Sequence, residues 1–445
     1  MSYPFEPAPK TLTFESMVGK LRLIMQGFPD KRTGSNIVYP MEDVGMGAFA
    51  VFFTQSPSFL QFQRDMDKKL GNSNAQSLLQ MGAIPCDNHI RDLLDEVPPA
   101  EVLPMFGYLF DGLKASGHLE AYRSVKGTVL VALDGTEHHC SKKIHCEQCN
   151  TQQHRNGEVT YSHTVITPVV VAPGNDTVIP LEPEFVVPQD GHEKQDCENA
   201  AAKRWLRQYG GRYRELGITI LGDDLYCRQP VCEVILAEQL NFIFVCKPES
   251  HKTLYEWVEG LEVTGGVQTV SAKRWTGKTH ETDTYRFVNQ VPLRDGAEAL
   301  LVNWCELITT SAEGKVLYKN AFATGYDISK ANVAEIATAG RARWKVENEN
   351  NNVLKTKGYH LEHNFGHGEK YLSSVLVALN VLAFLFHVVL GLMDSRYQLV
   401  RQALGARKTF FDDIRALTRY LFFESWEALL RFMMRGLELD EADIT

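Results

Sequence analysis

The sequence predicts an α/β protein, in which a mixed-sheet core is interrupted by a β-rich stretch and is preceded and followed by helical regions. Three observations predict this class. Strands alternate with helices at 126–245, strands of period two follow one another at 246–325, and helical periodicity dominates on either side. The chain has 445 residues, 44% hydrophobic and 23% charged, which is enough to bury a sizeable core and form about two to four domains.

Residues 1–125 are predicted to be helical. Apolar residues recur at spacings of three and four in "TFESMVGKLRLIM" (13–25) and again in "PMFGYLFDGLKASGHLEAY" (104–122). The chain starts without the basic-then-apolar pattern of a signal peptide, so we expect a cytoplasmic protein.

Residues 126–245 predict the first part of the sheet core. "GTVLVALDG" (127–135) is typical of a buried strand, and further strands broken by Pro and Gly follow. "DCENAAAKRWLRQYGGRY" (196–213) predicts a helix that stops at Gly210 and Gly211. A short strand, "LGITILGDD" (216–224), then a helix and the strand "FIFVCK" (242–247) complete this part.

The rest of the chain divides into three parts. Alternating strands with short turns predict a β-rich insertion at 246–325, the helical pattern at 326–395 predicts the second part of the core, and 396–445 predicts a C-terminal helical region. Residues 371–393 lack Asp, Glu, Lys and Arg, and this length would allow a membrane span. Polar residues interrupt the run, including Asn380 and His387, so we expect a buried core helix and no membrane partner.

Three carboxylates stand where strand ends and a helix can bring them together. Asp134 and Asp223 each follow an apolar strand, and Glu347 lies on a later helix. Converging carboxylates repel one another unless a cation neutralises them, and hard oxygen ligands suit Mg²⁺ or Mn²⁺. Two such ions about 3.5–4 Å apart activate a water and stabilise the leaving oxygen of a phosphodiester. Among 55 acidic residues, spacing alone also fits unrelated surface acids, and Asp224 and Glu349 are close alternates.

The residues around these carboxylates resemble the DDE transposases of bacterial insertion sequences, of the cut-and-paste type. The matching stretches are "LVALDGT" (130–136), "ILGDDLY" (220–226) and "RARWKVENENNNVLKTKG" (341–358), and "GYHLEHNFGHG" (358–368) resembles one subgroup. They occur in the family's order, with the β-rich stretch between the second and third, and the resemblance covers about residues 45–395. It implies an RNase H-like catalytic core with a β-rich insertion.

The resemblance also implies an activity. Asp134, Asp223 and Glu347 would form the catalytic triad and bind Mg²⁺ or Mn²⁺. The enzyme would hydrolyse a phosphodiester at the transposon end and then transfer the freed strand to target DNA. Double-stranded DNA would be its partner, in the cytoplasm at the nucleoid. Pairing of two ends implies a homodimer in the active complex, and the N-terminal helical region is the expected DNA-binding region.

A locally basic stretch surrounds Glu347. The net charge of −9 does not favour nucleic acid, but residues 341–370 contain six Lys and Arg against four Glu. The family carries a Lys seven residues after the Glu, whereas Lys355 is eight after Glu347, about 80° around an ideal helix. Gly340 replaces a Tyr that often precedes the family's Arg. The tryptophans of the insertion would stack on a flipped base. The candidate DNA contacts are Arg343, Lys345, Lys355, Lys357, Trp275 and Trp304.

A cluster of cysteines and histidines follows Asp134. Cys146 and Cys149 form a C-x₂-C pair, the commonest half of a structural zinc site, with Cys140 before it and His154 after it. Thiolates and imidazoles select Zn²⁺ and not the hard ion of the carboxylates, so we predict two sites with different metals. Zinc would cross-link the hairpin 138–163. The fourth ligand stays open between His154 and further candidates, His138, His139, His145 and His163.

Two other function classes remain compatible with the sequence. One is an RNase H-like DNA nuclease that uses the same triad without strand transfer. The other is a domesticated, non-catalytic DNA-binding protein, which the complete set of three carboxylates disfavours. DNA with and without terminal repeats distinguishes the three.

Overall fold

A nine-stranded mixed sheet organises the computed structural model, which describes residues 12–34, 36–68, 71–188, 194–440 and 442. The α/β class predicted from the sequence is therefore confirmed. The strands are β1 Val129–Ala132, β2 Gly135–Ser141, β3 Asn150–Gln153, β4 Val159–Ile166, β5 Val169–Ala172, β6 Asn175–Pro180, β7 Glu184–Phe185, β8 Ile218–Gly222, β9 Asn241–Val245, β10 Gln268–Trp275, β11 His280–Pro292, β12 Leu301–Ser311 and β13 Val316–Thr324.

Helices precede, cross and follow this sheet. They are α1 Phe14–Gln26, α2 Met41–Phe53, α3 Phe59–Met66, α4 Asn74–Leu79, α5 Asp87–Leu94, α6 Pro104–Ala115, α7 Lys194–Tyr213, α8 Gln229–Ala237, α9 Lys252–Val263, α10 Val333–Arg341, α11 Asn352–Thr356, α12 Leu372–Met393, α13 Ser395–Leu404, α14 Arg407–Tyr420 and α15 Trp426–Gly436. Buried apolar residues from all of these regions belong to one continuous core.

The order of the large sheet is β10-β11-β12-β13-β9-β8-β1-β5-β6. β1 pairs in parallel with β8, and β8 in parallel with β9, while β5, β6 and β13 join by antiparallel pairing. β10 to β13, predicted as a β-rich insertion, thus extend the sheet through the pairing of β13 with β9. A second sheet, β2-β4-β3 with β7 beside β4, contains the predicted zinc hairpin.

α7 is longer than its glycines predict. The sequence predicts a stop at Gly210 and Gly211, but the helix continues to Tyr213, so that prediction is wrong. The ring of Tyr213 is buried and stacked on Trp205, and its hydroxyl donates to the buried carboxylate of Glu182. These contacts hold the last turn in place and outweigh the cost of two helical glycines, about 1 kcal/mol each.

α12 is the central helix and packs against α2 and β6. Of the described helices it alone is long and apolar enough to cross a membrane, and 89% of its apolar window is buried within the protein. His387 makes two hydrogen bonds inside this core. Its Nε2–H donates to the Phe53 carbonyl at 2.8 Å, and its Nδ1 accepts from the Tyr397 hydroxyl at 3.0 Å. Burial lowers the pKa of His387 to about 3, so the ring stays neutral. The prediction of a buried core helix is confirmed.

The region that carries Glu347 is helical but irregular. α10 passes into a 3₁₀ turn at Ala342–Trp344, then into a π-helical turn at Val346–Asn351, and ends as α11. A π turn contains more residues than an α turn and commonly marks a functional site. Side chains beyond Asn351 therefore do not follow the angular positions of an ideal α-helix.

Candidate functional site

The register of two parallel strands places Asp134 beside Asp223. Ala132 of β1 is the partner of Leu221 of β8, and the pairing continues with the Leu133 N–H donating to the Leu221 carbonyl at 2.9 Å. Each aspartate lies two residues beyond its member of that pair, at the same edge of the sheet. Neighbouring strands lie about 4.8 Å apart, so the two carboxylates leave the sheet as neighbours.

Glu347 reaches the same edge from the π-helical turn. Burial, together with the charges of Glu347 and Asp223, raises the pKa of Asp134 to about 7, while Arg343 opposes the shift. Arg343 donates to Glu347 across 2.9 Å and is only 13% exposed at its side chain. The three predicted carboxylates therefore converge, and the arginine next to them neutralises only part of their charge.

A fourth carboxylate, Glu198 of α7, belongs to this group and was missed in the sequence. It is buried, and its charge also raises the pKa of Asp134. A Cβ at Gly135 would lie 2.6 Å from the Glu198 carboxylate, so the residue after Asp134 must lack a side chain. The hydroxyl of Tyr226 is buried beside them, and burial, followed by the charges of Glu198, Asp134 and Asp223, raises its pKa well above the usual value.

Asp134 is held in place by an amide relay. The side chain of Asn351 donates to Asp134 Oδ2 at 2.8 Å, and the buried hydroxyl of Thr167 donates to Asn351 Oδ1 at 2.7 Å. The neighbouring Asn350 donates to the same oxygen at 3.0 Å. Asn351 is the last residue of the π-helical turn, so this turn supplies both Glu347 and the amide that orients Asp134.

The two alternate carboxylates point elsewhere. Asp224 accepts from the Lys247 backbone N–H at 2.7 Å and faces His251. Glu349 lines a separate cavity that it shares with Asp176 and His387. Asp224 and Glu349 therefore face surroundings different from those of Asp223 and Glu347.

The π-helical turn accounts for the unusual spacing of Lys355. One extra residue in the turn moves every later side chain back by about 100°, so the eighth residue after Glu347 takes the direction that the seventh has in a regular helix. Lys355 forms an ion pair with Glu362 at 2.8 Å. Gly340 also has a local reason, because a Cβ there would lie 2.6 Å from the ring of Phe322.

The predicted DNA contacts fall into different environments. Lys345 pairs with Asp176 at 2.7 Å, whereas Lys357 is exposed. Trp275 of β10 is 59% exposed and packs only on His280 among the ring contacts of the described residues. Trp304 is 1% exposed, edge-on to Tyr255 beneath the sheet. Its predicted stacking on a flipped base is wrong, because the ring is buried within the core and is not accessible to a nucleotide.

A second site lies in the smaller sheet, where Cys146, Cys149, His163 and His367 bring their ligand atoms within 4.8 Å of one another. The two sulfurs are 3.8 Å apart, as expected of sulfurs each about 2.3 Å from a tetrahedral zinc. His163 Nε2 lies 3.2 Å from Cys146 Sγ and 3.3 Å from Cys149 Sγ, and His367 Nε2 lies 3.5 Å from Cys149 Sγ. Four soft ligands in this arrangement can hold a metal such as zinc.

The structure corrects two of the four predicted ligands. Cys140 pairs with Ser162 in the β2–β4 register, whereas His139 pairs with His163, so Cys140 points to the opposite face of the strand. His154 lies at the far turn of the hairpin, where its Nε2 contacts the Thr160 hydroxyl at 2.9 Å. Two histidines take their places: His163, which the sequence left open as a candidate, and His367, from roughly 200 residues further along the chain.

The other histidines considered from the sequence surround this cluster. His138 is stacked on His163, His139 lies against His367, and His145 packs on Tyr161. Contact with Cys149 lowers the pKa of the Cys146 thiol, while the same contact raises that of Cys149. The two thiols are thus coupled, and binding of a metal requires both of them to be deprotonated.

The two sites are distinct but joined by one loop. His367 belongs to the segment that follows α11, and α11 continues from the π-helical turn with Glu347. The Glu147 N–H also donates to the Glu369 carbonyl at 3.3 Å, beside the cluster. A metal at the Cys/His cluster would therefore tether the segment that follows the Glu347 helix to the hairpin that follows Asp134.

Comparison with known proteins adds no identification: no family model and no curated protein matches the chain.

Proposed function

We propose that the protein is a transposase of the DDE type, which binds transposon-end DNA and catalyses metal-dependent phosphodiester hydrolysis and strand transfer. The observation that carries the proposal is the convergence of Asp134, Asp223 and Glu347 at one edge of the sheet. Burial and neighbouring charges raise the pKa of Asp134 to about 7, as expected of a carboxylate group that is completed by a cation.

The order of the strands supports an RNase H-like core. β6, β5 and β1 form an antiparallel series, and β8 and β9 continue it in parallel on the other side of β1. This order agrees with the RNase H-like core that the resemblance implies. In such a core the first two triad residues would follow the first and fourth strands, and β10 to β13 would be the insertion before the helix with Glu347.

The donor set fits a hard divalent cation. Carboxylate oxygens from Asp134, Asp223 and Glu347 would hold Mg²⁺ or Mn²⁺, with Glu198 behind them. Bound there, the ions would supply charge neutralisation and water activation. Arg343 keeps Glu347 directed at the site, and the Asn351 amide keeps Asp134 directed at it.

The reaction needs two displacements at phosphorus. Water attacks the phosphodiester at the transposon end, a P–O bond forms, the bond to the 3′ oxygen breaks, and a free 3′-hydroxyl is left. That hydroxyl then attacks a second phosphodiester and releases another 3′ oxygen. Lys357 and Trp275 are exposed and suited to DNA contacts. The setting we propose is cytoplasmic, with a homodimer that pairs two ends.

Cleavage of DNA tests the proposal. The substrate is a duplex with the terminal repeat that flanks the coding sequence, in Mg²⁺ or Mn²⁺, with a matched duplex of scrambled repeat. We expect cutting and strand transfer on the repeat only, and a loss of roughly 10²-fold or more in Asp134→Ala, Asp223→Ala and Glu347→Ala. Glu349→Ala, two residues from Glu347, is the matched control and should cut normally.

Three results would decide against the proposal. Cutting of both duplexes without strand transfer would indicate a nuclease. Binding of the repeat without cutting in either metal would indicate a DNA-binding protein. Full activity of Glu347→Ala, with lost activity of Glu349→Ala, would reassign the third carboxylate.

A further inference from the structure

A second group of soft ligands lies in the connections that follow β8 and β9, apart from the Cys/His cluster. Cys227, Cys246 and His251 bring their ligand atoms within 4.8 Å of one another. All three are buried, with exposed fractions of 0%, 1% and 4%. Both thiols are free. Two buried thiols next to a buried imidazole form a ligand set for a soft divalent ion.

The three residues come from three connections at the same edge of the sheet. Cys227 lies between β8 and α8, Cys246 follows β9 directly, and His251 precedes the first turn of α9. The backbone there is fixed independently of any metal: the Cys246 N–H donates to the Ala321 carbonyl at 2.9 Å, and Asp224 accepts from the Lys247 N–H at 2.7 Å. The ligand positions are therefore set by the fold before an ion binds.

Asp224 lies beside the imidazole of His251 and can orient it. Its Oδ1 lies 3.4 Å from Nε2 of His251, and the histidine side chain is 2% exposed. An ion bound through Nδ1 leaves Nε2 facing the carboxylate, the arrangement that fixes the tautomer and orientation of metal-bound histidines. This contact between the carboxylate and the imidazole is present without a metal.

A cavity adjoins two of the three ligands, Cys227 and His251, and leaves room for a fourth ligand. It has a volume of about 370 Å³ and is lined by Cys227 and His251 together with Arg228, Lys252 and Arg294. Three protein ligands with an open fourth position differ from the closed set of Cys146, Cys149, His163 and His367. A water in the cavity would complete a tetrahedron around an ion held by these three residues.

We propose that Cys227, Cys246 and His251 bind a second zinc ion, with Asp224 orienting the imidazole and the fourth position open to the adjacent cavity. The ion ties the ends of β8 and β9 to the start of α9 and so fixes the segment that contains Asp223. This proposal does not depend on the transposase activity, since it concerns ligand chemistry alone.

Zinc content of the full-length protein tests it. The protein is purified under reducing conditions, freed of loosely bound metal, and measured by elemental mass spectrometry. We expect two zinc ions per chain in the wild type and one in Cys227→Ser, Cys246→Ser and Cys146→Ser. Cys305→Ser removes a buried thiol of β12 outside both clusters and should retain two.

The same measurement can overturn the proposal. An unchanged zinc content in folded Cys227→Ser excludes the second site, as does a single wild-type zinc that Cys146→Ser removes. A wild-type mass two hydrogens low, with the peptides of Cys227 and Cys246 linked, shows a disulfide instead. If Cys227→Ser does not fold, the Cys146→Ser protein provides the test. Cobalt added to it should bind at Cys227, Cys246 and His251 and show thiolate-to-cobalt absorption. Absence of bound cobalt would contradict the proposal.

Discussion

The carboxylate edge and the Cys/His cluster are built in opposite ways. Parallel register places Asp134 beside Asp223, and the fold leaves their repulsion only partly relieved by Arg343. The cluster encloses four ligands and draws the last of them, His367, from a distant loop. The carboxylate edge thus keeps negative charge that the protein does not fully compensate, whereas the cluster joins residues from distant parts of the chain.

The largest expected effect is the loss of a ligand from the closed cluster. Cys149→Ser should lower the free energy of unfolding by about 3 kcal/mol or more, because metal affinity is coupled to folding. Denaturant unfolding of the zinc-loaded protein measures it. Cys140→Ser, on the opposite face of β2, should stay within about 0.5 kcal/mol. Equal effects of the two substitutions would show that the cluster has no closing role.

A smaller effect is expected from removing the Asn351 side chain, which orients Asp134. Asn351→Ala removes the amide that donates to Asp134 and should lower the cleavage rate about 10–100-fold, the usual cost of losing an outer-shell partner. Stability should change far less than in Cys149→Ser. The exposed Asn348, in the same π-helical turn, gives the control Asn348→Ala. A rate equal to wild type would show that Asp134 is oriented without the relay.

The smallest effect concerns stability against pH in metal-free protein. The folded pKa of Asp134 is about 7, above that of an unfolded aspartate, so the folded state holds the extra proton between about pH 4 and 7. Stability contributed by the protonated group is present at low pH and is lost as pH rises through 7. Asp134→Asn should therefore raise the free energy of unfolding at pH 8 by roughly 1–2 kcal/mol.

Unfolding near pH 4 provides the reference for this variant, since the stability difference between wild type and Asp134→Asn should shrink steadily as the pH falls from 7 to 4. Mg²⁺ should stabilise the wild type at pH 8 and leave the variant unchanged. Parallel pH curves for the two proteins would show that the crowding at the carboxylate edge does not affect folding.

The sequence predicted those parts of the molecule in which local pattern and strand order act together. Strand ends at Asp134 and Asp223, the pair Cys146 and Cys149, and the buried helix α12 all follow from alternation, spacing or length. Glu198 lies within an ordinary helical pattern, and its approach to Gly135 depends on how α7 crosses the sheet. No local signal marks such a contact.

The failures have a shared physical cause, which is that tertiary contacts override local preference. Gly210 and Gly211 do not end α7, because Tyr213 is anchored on Trp205. Cys140 is close to the C-x₂-C pair in sequence but alternates to the wrong face of β2. His367 was visible in "NFGHG", yet nothing in its neighbourhood connects it to the cysteines.

The distance along the chain between His163 and His367 has a consequence for biosynthesis. Chains emerge from the ribosome N-terminus first, so Cys146, Cys149 and His163 wait for roughly 200 further residues before their fourth partner is made. Glu347 emerges within that same interval, shortly before His367. Closure of the cluster is thus a late event in synthesis. A chain truncated before His367 would lack the fourth ligand of the cluster.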